Sequence, residues 1–179
     1  MTRVLVYGLG IAGTSVARAL VARGHEVVLA DDHLSRQHEL LGQEIGAEIF
    51  PAGDLGALAA LVKSVDTVVP APGVPETHPL FAISIDAQKE MLSEIELAYR
   101  WEQMRSGGPR PILAVTGTDG KTTTTLMAAA MIRASGKRVA TVGNTETPFI
   151  DALDSDAEAF VVECSSFRLT LTSTFRANA

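Results

Sequence analysis

Strand-like runs alternating with helical periodicity, two glycine-punctuated strand-to-helix turns, and 46% hydrophobic against 20% charged residues predict an α/β protein. The architecture expected is a Rossmann-like N-terminal domain with a parallel sheet, followed by an incomplete P-loop α/β domain. The β-branched run Arg3 to Tyr7 reads as a strand and Gly8 to Gly13 as a turn. Val16, Ala17, Leu20 and Val21 then recur at helical spacing within Thr14 to Arg23, and Gly24 is the stop. Glu26 to Ala30 is a second strand, closed by Asp31 and Asp32. Together these make a βαβ unit, and hence a right-handed crossover in a parallel sheet. The alternation continues as a helix over Arg36 to Ile45, a strand near Glu48 to Phe50, a helix at Leu55 to Lys63 and a strand at Thr67 to Pro70. A turn, Ala71-Pro72-Gly73-Val74-Pro75, follows, and the first domain is expected to occupy residues 1–90.

Residues 91–111 read as a connecting helix, suggested by Ile95, Leu97, Ala98, Trp101 and Met104, and a linker, RSGGPRP. A second pattern starts at Ile112: a strand ILAVT, a loop GTDGK, a helix from Thr122 to about Ala134 and Gly136 as its stop. A strand Arg138 to Val142, the pair Gly143-Asn144 and a strand Ala159 to Glu163 complete it. Residues 112–179 are therefore expected to be the start of a second α/β domain. Three parallel strands make a poor domain because such sheets need both faces covered, so the chain reads as the front part of a longer protein.

The net charge of −6 provides no basic field for nucleic acid. The uncharged run Val4 to Ala17 is too short to span a bilayer, which argues against a membrane role. One cysteine, Cys164, cannot form an internal disulfide, in keeping with a cytoplasmic location, and a monomer is expected. Cys164 reads as a small packed residue, Tyr99 and Trp101 as packing, and the four histidines, which lack metal-ligand spacing, as surface or loop groups.

Gly8-x-Gly10-x-x-Gly13 follows a strand, opens a helix and has Asp31 23 positions beyond Gly8. A tight turn, a close approach of backbone to a diphosphate, a helix start aimed at its charge and a carboxylate for ribose hydroxyls require that spacing. The pattern does not choose between a nicotinamide dinucleotide and a UDP-sugar, and glycines that only permit helix–strand packing would look the same. The second turn, Gly117-Thr118-Asp119-Gly120-Lys121-Thr122-Thr123, is a shortened phosphate loop, with Val115 at the place of the usual first glycine. Its amides can encircle a phosphate, Lys121 can reach terminal phosphates and the Thr122 hydroxyl can ligate Mg2+. Glu163 ends a strand at the edge where ligands of open α/β folds collect; it could hold magnesium there, or be a solvated loop residue.

Taken together, Gly8-Leu9-Gly10-Ile11-Ala12-Gly13, Asp31, Ala71-Pro72-Gly73-Val74-Pro75, Gly117 to Thr123, Gly143-Asn144 and Glu163-Cys164-Ser165-Ser166-Phe167-Arg168-Leu169 resemble the bacterial Mur ligases in order and spacing. The last segment points to their D-glutamate-adding members. The chain differs from the usual pattern in Ala71 for Ser, Asp119 for Asn, Arg168 for Gln and Thr145-Glu146 for Ile-Gly. The resemblance implies an ATP- and Mg2+-dependent amide-forming ligase of peptidoglycan precursor synthesis. It would join D-glutamate to UDP-N-acetylmuramoyl-L-alanine through an acyl-phosphate. It further implies Gly10, Ile11 and Ala12 at the UDP diphosphate, Asp31 near the uridine, and Pro72 and Gly73 walling that pocket. Asn144 and Ser165 would face the muramoyl part, residues 117–123 hold ATP, Lys121, Thr122 and Glu163 act in catalysis, and Thr122 and Glu163 hold the metal. The remaining machinery is expected beyond Ala179, leaving this segment inactive alone. A non-catalytic nucleotide-sugar or NAD(P)-binding module is the alternative.

Overall fold

The computed structural model describes residues 2–51 and 53–179. The chain divides into two compact units, one ending at Leu92 and the other running from Ser93 to Ala179. Both are α/β with wholly parallel sheets, as the alternation of strand and helix signals predicts. Among the described residues no helix is long and apolar enough to cross a membrane.

In the first unit the order is β1 (Arg3–Tyr7), α1 (Ile11–Ala22), β2 (Glu26–Asp31), α2 (Arg36–Ile45), β3 (Glu48–Pro51), α3 (Leu55–Ser64), β4 (Thr67–Pro70), α4 (Pro79–Asp86) and β5 (Glu90–Met91). The sheet runs β3-β2-β1-β4-β5, the doubly wound order in which ligands gather at the carboxyl ends of the central strands. β1 sits in the middle, and Val4, Leu5, Val6 and Tyr7 are all buried. This explains why its sequence is continuously apolar rather than alternating. Leu5, Tyr7, Val28, Ala30 and Val68 pack on Leu58, Leu61 and Val62 of α3 and Leu80 of α4. α1 buries Val16, Ala17 and Leu20.

α1 begins at Ile11, ahead of the start expected at Thr14, because Gly10 is its extended N-cap and the turn passes straight into helix. α4 and β5 were not foreseen. α4 opens with His78 as N-cap and Pro79 in its first turn, where a missing N–H costs nothing.

The second unit contains α5 (Glu94–Gln103), β6 (Ile112–Val115), α6 (Lys121–Ala134), β7 (Val139–Gly143), a 3-10 turn (Ile150–Ala152), β8 (Ala159–Glu163) and α7 (Ser166–Leu169). Its sheet order is β6-β8-β7, and all five residues of the central β8 are buried. α6 covers one face through Ala129, against Val115 and Val161. Along the outer edge of β6, Asn178 N–H donates to the Ile112 carbonyl and Ala114 N–H to the Ala179 carbonyl, both at 2.8 Å.

Residues 105–111, linker-like in composition, end in an anchored side chain. Arg110 is buried, pairs with buried Glu102 at 2.7 Å and lies 4.4 Å over the Phe160 ring. Its remaining donors reach the carbonyls of Leu153, Ser155 and Ala157.

Candidate functional site

Two strand-to-helix turns, one in each unit, carry the residues that the sequence singles out. In the first unit Tyr7 pairs with Ala30 and Pro70, so β1, β2 and β4 end together. The chain leaves β1 through Gly8, whose N–H donates to the Ala30 carbonyl at 2.8 Å. Asp31 braces the turn: Oδ2 accepts from Leu9 N–H at 2.6 Å and Oδ1 from His33 N–H at 2.8 Å. A carboxylate oxygen has two lone pairs, so each keeps one for a ligand hydroxyl. Ala71 N–H donates to the Tyr7 carbonyl at 2.8 Å, which seats Ala71 and Val74 over Gly8 with Pro72 and Gly73 alongside in sequence.

A Cβ on Gly13 would fall 1.9 Å from the Gly8 carbonyl oxygen, so α1 lies directly against the turn. Gly10, in contrast, has nothing within 4 Å of where its Cβ would stand. No side chain caps α1 and no acidic residue lies in its first turn. Gly10, Ile11 and Ala12 thus present an open helix start of the kind that suits a diphosphate.

Beside the turn lies a polar group that the sequence reading missed. Tyr7 Oη donates to Asp32 Oδ1 at 2.6 Å, and His78 Nε2 is 3.3 Å from both that carboxylate oxygen and the Tyr7 hydroxyl. His78 Nδ1 accepts from Leu80 N–H at 3.1 Å, which assigns the ring proton to Nε2. Burial and the adjacent Asp32 push the Tyr7 hydroxyl well above its ordinary pKa. The Tyr7 hydrogen bond, with His78 nearby, holds Asp32 below the usual carboxylate range. His78 is thus a helix cap with a largely covered side chain rather than a loop group; His-Pro at a helix start was the available signal.

In the second unit Glu163 is the register partner of both Val115, which leads into the phosphate-type loop, and Gly143, which leads into Asn144. The central strand therefore delivers one carboxylate between the two flanking turns. Glu163 is 2% exposed; it is not a solvated loop residue. Oε1 accepts from Asn144 Nδ2 at 3.3 Å, the Glu163 carbonyl accepts from Asn144 N–H at 2.8 Å, and Oε2 has no partner among the described residues.

Residues 116–120 are exposed, and α6 starts at Lys121 without a side-chain cap and without an acid in its first turn. Gly117, Thr118, Asp119 and Gly120 hence form an open loop, and Thr122 and Thr123 are exposed on the first turn. The Lys121 ammonium donates to the carbonyls of Gly117 at 2.7 Å and Thr118 at 3.0 Å. Ser165 caps α7, its Oγ accepting from Arg168 N–H at 3.4 Å, which leaves its own O–H to donate elsewhere. Cys164 is buried and burial pushes its thiol up to about 11, so it is no nucleophile at neutral pH. Among the described residues no group of three or more His, Cys, Asp or Glu is placed to hold a metal, so a cation at this site would draw on Glu163 and hydroxyl oxygens.

Residues 115–177 match the family described as the Mur ligase middle domain. The chain is a relative of the Mur ligases. Over 176 residues it is 44% identical to the UDP-N-acetylmuramoylalanine–D-glutamate ligase of Frankia casuarinae, an alignment covering 96% of this chain and 36% of that protein. Over 184 residues it is 40% identical to the ligase of the same name from Thermobifida fusca, covering 99% of this chain and 38% of the relative. The chain thus spans little more than a third of the length of these curated relatives. A murein peptide ligase of Psychrobacter arcticus has the same fold, with a TM-score of 0.54 at 20% identity, over 94% of this chain and 38% of that one.

Proposed function

We propose that the chain provides the sugar-nucleotide and triphosphate sites of an ATP-dependent, cytoplasmic ligase joining D-glutamate to UDP-N-acetylmuramoyl-L-alanine in peptidoglycan precursor synthesis. The observation that carries this reading is Glu163: a buried carboxylate with one orphaned oxygen, at the end of the strand beside the phosphate-type loop. A buried unpaired carboxylate oxygen is costly without a cation, and a hard oxygen donor at the strand end next to a loop that leads to an exposed Thr122 suits Mg2+. Bound there, magnesium would neutralise charge on the phosphates.

In the proposed reaction the alanyl carboxylate takes the γ-phosphoryl of ATP, giving ADP and an acyl-phosphate; the amine of D-glutamate then displaces phosphate, losing a proton as the amide forms. Bringing two unit anions to ~3.5 Å at an effective dielectric near 20 costs about 5 kcal/mol per pair. On this reading the Lys121 ammonium leaves its loop carbonyls for the terminal phosphates, and the amides of 117–121 face the transferred group. In the first unit Gly10, Ile11 and Ala12 take the diphosphate, Asp31 uses its remaining lone pairs on the uridine end, and Pro72 and Gly73 form the wall. Asn144 and Ser165 direct an amide and a hydroxyl toward the muramoyl portion.

Calorimetry on the purified chain tests the reading. UDP-N-acetylmuramoyl-L-alanine is expected to bind and NADH not to. Lys121→Ala should lower ATP affinity by about tenfold or more, in line with loss of a charged phosphate contact, and leave the sugar-nucleotide affinity unchanged. Binding of NADH without the UDP ligand would overturn it.

A further inference from the structure

The two segments that leave β7 and β8 are joined twice. Near the strand ends Asn144 bonds Glu163. Farther along, both reach a single carboxylate: Glu94, 3% exposed, in the first turn of α5. Its Oε1 accepts from Ile150 N–H at 2.7 Å, on the chain leaving β7, and its Oε2 from Arg168 Nη1 at 3.0 Å, on the chain leaving β8.

We propose that Glu94 is a positioning residue for the triphosphate site: by holding Ile150 with one oxygen and Arg168 with the other, it fixes the spacing of the segments that carry Asn144 and Glu163. The proposal rests on the role given to Glu163 above. Its physical basis is the low tolerance of a buried charge for displacement. Arg168 is 8% exposed and its Nε has no partner among the described residues, so any shift of the 163–168 segment away from Glu94 uncouples a largely buried ion. The same carboxylate holds the start of the 3-10 turn, so the two segments move together or not at all. Burial pushes the Glu94 carboxyl up, and the Ile150 amide and Arg168 oppose that. Arg168, the departure from the Gln usual in the resemblance, thereby has a partner and a purpose.

Two readouts on the purified 179-residue chain test this. The first needs no ligand: hydrogen exchange at the Asn144 amide, which bonds the Glu163 carbonyl. Glu94→Gln is expected to speed that exchange by about tenfold or more while the ladder amides of β8 keep their protection. The second is the gain in ADP affinity that magnesium confers, which should fall by about tenfold as for other groups that orient a metal ligand, with metal-free ADP binding held within about twofold. Glu94→Gln combined with Arg168→Gln removes both charges and should recover most of each loss. If Glu94→Gln alone does not fold, Arg168→Gln serves in its place and should loosen Asn144 in the same way. Unchanged exchange at Asn144, or loosening spread evenly over β6, β7 and β8, would overturn the proposal. A wild-type chain without any magnesium effect would count against the role of Glu163, and the Asn144 exchange would still decide the positioning.

Discussion

A Cβ on Gly143 would stand 2.4 Å from the carbonyl oxygen of Glu163, so the turn that presents Asn144 reaches the end of β8 only because residue 143 has no side chain. Gly143 also has φ +100, which L side chains rarely adopt. Gly143→Ala is expected to destabilise the protein by at least about 2 kcal/mol, through strain and displacement of the turn together. Urea denaturation at unchanged m-value would measure it.

Gly10→Ala should behave oppositely. A methyl there meets nothing, and the backbone at φ −70 accepts any residue. Stability should stay within about 0.5 kcal/mol of wild type. The methyl occupies the approach to the helix start, so affinity for UDP-N-acetylmuramoyl-L-alanine should drop by about tenfold or more, read by calorimetry.

Most of the strands that build these turns were legible. β1, β2, β4 and β8 are short apolar or β-branched runs bounded by glycine, proline or acidic residues, and central parallel strands demand such runs. That Gly10 and Lys121 stand at helix starts and Glu163 at a strand end was legible from the glycines and strand runs beside them. β5 and α7 span two and four residues, too few to show a period, and PLFAISID in α4 is apolar on nearly every side. The buried carboxylates of α5 were hidden for another reason. In EIELAYRWEQ the acids look like a solvated helix face, and most of the groups that satisfy Glu96 lie 77 to 79 positions away. The helix opens at Ser93, whose Oγ accepts the Glu96 amide.

Glu96 predicts an acid-limb signature. It is fully buried and accepts from Arg100 Nε at 2.8 Å, Thr174 Oγ1 at 2.6 Å and Phe175 N–H at 2.9 Å. Burial alone would raise its pKa, but Thr174, Arg100 and the amides of Ser173 and Phe175 outweigh that and hold it at about 2. A depressed folded-state pKa gives stability that is full above the unfolded value of 4.5 and is lost as pH falls toward 2. The stability difference between wild type and Glu96→Gln should therefore shrink by about 3 kcal/mol across that window, seen in urea melts at stepped pH.

Arg110 and Glu102 predict a steep cost for splitting a buried pair. Arg110→Met leaves the Glu102 carboxylate, 1% exposed, without its cation. The expected loss is about 3–5 kcal/mol, and pairing it with Glu102→Gln should restore a large part. Thermal melts of the two single variants and the double variant would check this.

Lys121 gives the loop an internal salt-like closure. With its ammonium resting on the Gly117 and Thr118 carbonyls, the loop holds its own counter-dipoles. An arriving anion must outbid two oriented peptide oxygens before it gains the lysine. Chloride or acetate, with one charge to offer, barely recovers what it displaces, whereas a polyphosphate brings several charges to the same exchange. On the proposed reading, the loop would thus favour polyphosphates over singly charged anions before any contact with base or sugar is made.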